Sequence, residues 1–500
     1  MDTTVMVLIA LGVFLFLLAA EMPVAVGLAG AGVTGLLLNN GFEQTAATLS
    51  SAAYQATSTY TLIVIPMFIL MGVLVANAGV LGNIFDLAAR ATRKLPGGLG
   101  IATVLSAAGF SAVTGSSAAA VATLGRLCVG EMRRHGYSIK FAASIVAASG
   151  TLGVLIPPSV VLVIYGVLTN ESVAQLLLAA IIPGIITAIA YMITIVLMAS
   201  LGNSKKHIDS EGDHDGHPDD DPSGGGGARQ RDVAVAMQAN EPAVDRPVDR
   251  EMERELDQLD VAAGPGGIAM AKPSRAQRLQ ELESIFYIGI IFIVVLGGIY
   301  GGVFTETEAG AVGALVAVFV LLLRSGRTEL GLKKSLSSAL RETSANTSML
   351  FALLIGGSIF TLFLVTARVP QDLTDWIIGL DVNKYVVIAI ILLVLLVLGA
   401  LLDGMSILLL TMPLTYPLVT DLGFSGLWYG ILAVKMVEIG LLTPPFGINV
   451  FLISGVVKEA KIEDVFRGVV PFIIAELCVV LLIILVPELV TWLPDLASTK

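Results

Sequence analysis

Two short stretches decide the fold: GVLIPPS at 153–159 and GLLTPPF at 440–446, each inside a long apolar run. Two adjacent prolines interrupt a membrane helix, because each lacks a backbone N–H and clashes with the carbonyl four residues before it. Carbonyls freed in this way are tolerated in a membrane only where they face protein, a water-filled cavity or a bound cation. Interruptions at matching places in two halves are typical of the central binding site of a secondary transporter.

The composition is that of a polytopic membrane protein rather than a soluble domain. Of the 500 residues, 55% are hydrophobic and 14% charged, and the mean hydropathy is +0.87. Apolar runs long enough to enter a bilayer recur along the chain: Thr4–Ala20, Thr61–Val75, Ile285–Ile299, Ala309–Leu323, Tyr385–Leu402 and Val470–Val486. Metalloprotease, nucleotide-binding and serine-hydrolase signatures are absent from the sequence. We therefore expect no enzymatic activity and no nucleic-acid partner.

One polar segment divides the chain. Residues 203–284 hold 18 acidic and 10 basic side chains, so they carry most of the chain's net charge of −11. The sequence predicts a first membrane repeat at 1–202, a largely disordered acidic insert at 203–284 with a surface helix at 248–262, and a second membrane repeat at 285–500. The membrane part is close to neutral, so the acidic balance says little about the substrate.

The two halves are predicted to be structural repeats. When the second half is shifted by 286 to 289 positions, five landmarks fall into register. They are Pro157-Pro158 with Pro444-Pro445, Gly153 with Gly440, Pro183 within one residue of Pro471, Gly115-Ser116-Ser117 with Gly404-Met405-Ser406, and Val26-Gly27 with Val312-Gly313. Gly-Ser-Ser alone is typical of a helix-packing surface, and a proline alone of a kink. Their joint recurrence favours a functional interpretation.

Charge predicts that the repeats are inverted. Each repeat is expected to hold a re-entrant hairpin (about 99–129 and 384–420) and a broken helix (about 141–168 and 427–456). With the loops around the first hairpin placed in the cytoplasm, 15 of the 19 basic residues outside the insert lie inside. Both termini are then periplasmic, the insert is cytoplasmic, and the second hairpin opens toward the opposite face. The predicted fold class is an all-α polytopic membrane protein with two inverted-topology repeats, each with a re-entrant hairpin and a broken helix.

Inversion brings each hairpin tip close to a broken helix near the bilayer midplane. Unwound backbone and hydroxyl groups suit a hard monovalent cation, so we expect one sodium site in each half. The N-terminal ends of the half-helices suit an anionic group. The residues expected to line the substrate cavity are Gly115, Ser117, Ser159, Gly404, Ser406 and Asn449.

Charged residues near the second break have more than one interpretation. Asp403 either coordinates a cation or shapes the hairpin tip by accepting backbone N–H groups. Lys435 and Glu438 lie three residues apart on one helical face, where we expect them to neutralise one another, with contact to the transport path as the alternative.

Five stretches resemble the large membrane subunit of tripartite ATP-independent periplasmic (TRAP) transporters. They are GFSAVTGSSAAAVATLG (109–125), GTLGVLIPPSVVLVIYG (150–166), GGVFTETEAGAVGA (301–314), LLDGMSILLLTMPLTYPL (401–418) and GLLTPPFGINVF (440–451). The resemblance implies sodium-coupled import by an elevator mechanism in a bacterial inner membrane. It also implies a separate small four-helix membrane subunit, and a periplasmic binding protein that delivers a small organic anion such as a C4-dicarboxylate or a sulfonate.

The same resemblance implies which positions hold sodium, largely through backbone carbonyls. The first site would use Thr114, Ser116, Gly153, Ile156 and Pro158, and the second, by repeat symmetry, Asp403, Met405, Gly440, Thr443 and Pro445. Two other functions remain open. One is a sodium/anion symporter of related fold that works without partners, and the other is a membrane scaffold or receptor whose working part is the acidic insert.

Overall fold

The computed structural model describes residues 2–201, 275–324 and 331–498, and these residues form helices joined by short turns. The first half contains α1 to α10, at Thr3–Ala19, Val24–Thr57, Val64–Asn77, Val80–Thr92, Gly98–Thr114, Ser117–Arg134, Ile139–Gly150, Leu152–Leu155, Val160–Thr169 and Val173–Ser200. A 3-10 turn at Tyr60–Ile63 precedes α3.

The second half contains α11 to α20, at Arg275–Tyr300, Glu306–Arg324, Gly331–Thr366, Val369–Gly379, Lys384–Gly399, Gly404–Asp421, Gly426–Gly440, Ile448–Val456, Ile462–Leu485 and Glu488–Ser498. Because α11 begins at Arg275, the last ten residues of the predicted acidic insert belong to the helix that opens the second half. The rest of that insert, with its predicted surface helix at 248–262, lies outside the described residues.

The described helices include seven that are long and apolar enough to cross a membrane, or eight if the bent pair at 139–169 counts as one span. That pair is bent by 43° at the first Pro-Pro. The prediction of an all-α, multi-pass membrane protein is therefore confirmed. The orientation of the two halves relative to the membrane stays a prediction.

The order of helices is the same in both halves. Each contains a short arm helix (α4, α14), a helical hairpin (α5/α6, α15/α16), a helix interrupted at Pro-Pro (α7–α9, α17/α18) and a long closing helix (α10, α19). The two hairpins span 98–134 and 384–421, and the two interrupted helices span 139–169 and 426–456.

A first group of helices packs through small residues on α2 and α13. A Cβ atom on Gly32 would lie 2.6 Å from the backbone nitrogen of Phe360, so only glycine permits this approach. Helix α12 lies on α3, where Gly313 contacts the Met71 side chain. The hairpins, broken helices and closing helices form a second group, and α4 and α14 connect the groups.

Candidate functional site

The first hairpin tip is a sharp turn built from small residues. Helix α5 ends at Thr114, Gly115 takes a left-handed conformation with φ of 60°, and the Ser116 hydroxyl accepts a hydrogen bond from the backbone N–H of Ala119 at the start of α6. Glycine adopts this backbone conformation at little cost. Ser116 follows the usual preference for a short polar side chain at a helix N-cap.

The first break lies directly against this tip. A Cβ atom on Gly115 would lie 2.5 Å from the carbonyl oxygen of Pro158, and one on Gly153 would lie 2.8 Å from the carbonyl oxygen of Ser116. Both contacts are backbone to backbone, so neither can relax by a rotamer change. The structure thus brings the tip residues Gly115, Ser116 and Ser117 against the break residues Gly153, Pro158 and Ser159. Thr114 and Ile156 are their chain neighbours; Thr114 lies close to Gly72 of α3 and Ile156 close to Gly184 of α10.

The prolines leave backbone acceptors without their helical donors. Neither Pro157 nor Pro158 has an N–H to offer to the carbonyls of Gly153 and Val154, one turn earlier. Both of those residues are buried. Ile156 is extended, and Ser159 restarts the helix by accepting the N–H of Leu162 at 3.3 Å. The result is a buried concentration of carbonyl and hydroxyl oxygens.

The second half repeats this arrangement with different residues. A Cβ atom on Gly399 would lie 2.9 Å from the Cα atom of Gly440, and the backbone N–H of Phe446 donates to the carbonyl of Ala400 at 3.3 Å. Here the break spans Leu441–Gly447 and contains Thr443, whose hydroxyl donates to the Ile439 carbonyl at 2.7 Å, and Pro445.

Asp403 acts as the N-cap of α16. One carboxylate oxygen accepts the backbone N–H groups of Met405 and Ser406 at 3.0 and 3.2 Å, and the other accepts the Ser406 hydroxyl. Of the two interpretations of Asp403, the structure shows the one in which its side chain shapes the tip. Gly404 follows it and contacts Val437 of the broken helix.

Asn449 connects the second break to the first half. Its side-chain amide donates to the carbonyl of Ala147 in α7 at 3.5 Å, and its backbone N–H donates to the carbonyl of Leu441. Asn449 is 1% exposed, and its Oδ1 atom has no hydrogen-bond partner. An orphaned buried acceptor of this kind suits a ligand or an ion, so Asn449 remains a substrate-cavity candidate.

The expectation that Lys435 and Glu438 neutralise one another is wrong. Lys435 forms an ion pair with Glu476 of α19, and its ammonium donates to the Thr187 hydroxyl at 2.6 Å. Glu438 is 2% exposed, and its Oε2 atom has no hydrogen-bond partner. The acid in the middle of the apolar run 470–486 was the sequence signal for this pairing, since such acids are functional candidates by default.

The family assignment follows from comparison with known proteins. A family profile described as "Tripartite ATP-independent periplasmic transporter, DctM component" matches residues 11–489. The chain belongs to this family. The match covers both hairpins and both breaks, so the resemblance drawn from short motifs extends over nearly the whole chain.

Curated relatives carry the names of large permease subunits. The chain is 28% identical to the C4-dicarboxylate TRAP transporter large permease protein DctM of Pseudomonas aeruginosa, over 94% of each chain. It is 28% identical to the sialic acid TRAP transporter large permease protein SiaM of Vibrio cholerae, over 97% of each. It also matches the isethionate TRAP transporter permease protein DctMQ of Oleidesulfovibrio alaskensis, at 28% over 96% of this chain and 65% of that protein.

The fold matches a solved transporter. The crystal structure of the Alcanivorax borkumensis YdaH transporter, described as having an unusual topology, superposes with a TM-score of 0.56 over 91% of this chain and 90% of that chain. The two sequences are 14% identical, so the likeness concerns the fold alone. This chain is thus a multi-pass membrane protein and a large permease subunit of the TRAP type.

Proposed function

We propose that this large permease subunit imports a small organic anion, driven by a sodium gradient. The observation that carries the proposal is the contact of each hairpin tip with its own broken helix, at Gly115 with Pro158 and at Gly399 with Gly440. In the first half the contact lies beside the carbonyls of Gly153 and Val154, which the prolines leave without helical donors. In the second half the carbonyls of Gly440 and Leu441 accept the backbone N–H groups of Thr443 and Asn449 instead, at 2.9 and 3.1 Å. Oxygen ligands without a formal charge suit sodium better than a multivalent ion.

The sodium ligands proposed for the first half are Thr114, Ser116, Gly153, Ile156 and Pro158. Those for the second half are Asp403, Met405, Gly440, Thr443 and Pro445, with Asp403 contributing through its backbone because its carboxylate caps α16. No step of this assignment needs a charged side chain at the ion. The membrane potential then acts on the ions themselves, at about 2.3 kcal/mol per charge per 100 mV.

The substrate class follows from the helix ends around the site. Helices α6, α9 and α16 begin at Ser117, Val160 and Gly404, so their N-terminal partial positive charge lies next to the two tips and the first break. A carboxylate or sulfonate is favoured there. The relatives named for C4-dicarboxylate, sialic acid and isethionate transport agree with this class.

The proposal includes partners and a mechanism. A small four-helix membrane subunit binds the first group of helices, which contains α2, α3, α12 and α13, and a periplasmic binding protein delivers the anion. The group of hairpins and broken helices moves as an elevator against that scaffold. The positive-inside asymmetry of the sequence supports an orientation in a bacterial inner membrane with both termini in the periplasm and residues 203–284 in the cytoplasm.

Reconstitution separates this function from a partner-independent symporter. Proteoliposomes with this chain, the small subunit and the binding protein should take up the anion under an inward sodium gradient. Proteoliposomes with this chain alone should take up none. Robust uptake by the chain alone would establish the partner-independent symporter instead. Uptake that does not depend on the sodium gradient would contradict sodium coupling.

A further inference from the structure

A buried polar network crosses the molecule between the two breaks. Lys435 of α17 is 0% exposed and Glu476 of α19 is 1% exposed, and the two form an ion pair. The Tyr191 hydroxyl donates to Glu476 at 2.5 Å and lies 2.8 Å from the Thr151 hydroxyl. Lys435 also donates to Thr187 at 2.6 Å. A continuous path thus runs from Thr151 to Lys435.

The two ends of this path lie next to the breaks. Thr151 occupies the joint between α7 and α8, two residues before Gly153. Lys435 lies five residues before Gly440 on the helix that ends at the second break. Between them, Tyr191 and Thr187 belong to α10 and Glu476 to α19, the closing helices of the two halves. The network therefore touches both broken helices and both closing helices.

Repeat symmetry underlies the choice of residues. The offset of 287 that pairs Gly153 with Gly440 also pairs Thr151 with Glu438. The hydroxyl group of Thr151 in the first half thus corresponds to a carboxylate in the second. The second half therefore has the acids Glu438 and Glu476 near Lys435. This lysine has no counterpart in the first half, where Ala148 occupies the matching position.

Stability alone does not account for such a pair. Removing two charges from water costs several kcal/mol per ion, and replacing a buried ion pair with apolar residues of similar volume is often neutral or stabilising. Directional hydrogen bonds and ion pairs fix the register between two helices, whereas apolar packing does not. Lys435 and Glu476 fix α17 against α19, and Tyr191 and Thr187 extend that register to α7, α8 and α10.

We propose that this network holds the two interrupted helices in a fixed relative position, so that the two half-sites bind coupling ions as a cooperative pair. Lys435, Glu476 and Tyr191 are then positioning residues, not ion ligands. The claim of cooperative binding depends on the proposed sodium coupling. The claim that the network fixes the positions of the two breaks is independent of it.

Two variants test the network, with one matched control. Tyr191→Phe removes only the hydroxyl that joins Thr151 to Glu476. Lys435→Met/Glu438→Gln/Glu476→Gln replaces the three buried ionisable side chains of α17 and α19 with neutral ones of similar size. Arg133→Met/Glu459→Gln is the control, because that pair also joins the two halves but is 46% and 58% exposed, with atoms 3.4 Å apart.

Hydrogen exchange on the purified full chain measures the fixed geometry. Tyr191→Phe is expected to speed amide exchange in peptides spanning 150–162 and 437–451 by about tenfold, which corresponds to losing one buried hydrogen bond. The triple variant of Lys435, Glu438 and Glu476 should show the same faster exchange, and the control variant should exchange at the wild-type rate. Wild-type exchange in both network variants, or equal acceleration in the control, would overturn the proposal.

Sodium dependence of uptake in the reconstituted three-component system supplies the second readout. The wild type and the control should respond sigmoidally to sodium, and Tyr191→Phe hyperbolically with a near-normal maximal rate. A sigmoidal response in Tyr191→Phe would contradict cooperative positioning. If uptake by the wild type does not depend on sodium, the proposed function is contradicted. The hydrogen-exchange experiment still decides whether the network fixes the positions of the two breaks.

Discussion

Gly399 and Gly440 face one another at the second break, and a Cβ atom added to Gly399 would lie 2.9 Å from the Cα atom of Gly440. The first of these residues ends a hairpin limb and the second ends the long arm of a broken helix. Their contact is the second-half counterpart of the contact between Gly153 and Ser116, because Gly440 and Gly153 are equivalent in the repeat. Each half therefore closes its tip onto its break at a glycine.

Substituting either glycine should separate tip from break. Gly440→Ala adds one methyl group with no alternative rotamer, so overpacking of about 1–3 kcal/mol is expected at this contact. By helix propensity alone, alanine would be more stable than glycine at this position by up to about 1 kcal/mol. A loss of transport in Gly440→Ala would therefore be due to the crowded contact and not to a weaker helix. Uptake by reconstituted protein should fall to background.

The matched control for that substitution is Gly379→Ala. Gly379 is also the last residue of a helix, and nothing lies within 4 Å of an added Cβ atom. Transport should be unchanged in this variant. Normal uptake by Gly440→Ala would mean that the close approach is not needed.

Asp403 should support transport by capping the N-terminus of α16, and its negative charge should not be required. Its carboxylate is committed to the first turn of α16. Asp403→Ser and Asp403→Asn keep an N-cap acceptor and should retain most transport, whereas Asp403→Ala should lose about 1 kcal/mol of local stability and most uptake. Thermal unfolding and sodium-driven uptake of the three variants measure this. Equal loss in Ser, Asn and Ala variants would instead assign a role to the charge.

Glu306 forms a contact between the two helix groups. Its carboxylate, at the start of α12, accepts the backbone N–H of Ala174 in the first turn of α10 at 3.1 Å. Glu306→Ala should speed hydrogen exchange in the first turn of α10. Glu308→Ala is the control, because Glu308 accepts from Thr305 at 2.8 Å within its own helix start. Faster exchange in α10 with both variants would contradict the specific contact.

Much of this architecture could be predicted from the sequence. The Pro-Pro pairs fix where the helices break, since a missing N–H has the same effect in any context. The turn between α5 and α6 lies at Gly115 and Ser116, where small residues favour a tight turn for a similarly local reason. The start of α11 was missed because Arg275–Ser284 is as polar as the insert before it, although Ser284 and Glu281 are buried in the fold.

Long-range pairing could not be predicted in the same way. Lys435 and Glu438 looked like partners because they are three residues apart, but the true partner of Lys435 is 41 residues further along, on another helix. Helical periodicity gives the face of a residue and not the helix that faces it. The contact of Asn449 with Ala147, across the two halves, was hidden for the same reason.

The acidic segment should be dispensable for transport. Most of the net negative charge of the chain lies in residues 203–284, and the half-sites lie elsewhere. Deletion of residues 209–227 is expected to leave sodium-driven uptake within about twofold of the wild type, a change of less than 0.5 kcal/mol. Abolished uptake in a protein that still inserts would support a scaffold or receptor function for this segment.

Sodium binding to the purified chain tests the central claim most directly. Thermal unfolding in detergent should shift upward with sodium chloride and not with choline chloride, since a ligand that binds only the folded state at 100 times its Kd adds about 2.7 kcal/mol. The sodium-specific shift should shrink in Gly153→Ala and in Gly440→Ala, each of which disturbs one half-site. An equal shift in choline chloride, or a full sodium shift in both variants, would contradict the assignment of the two half-sites to sodium.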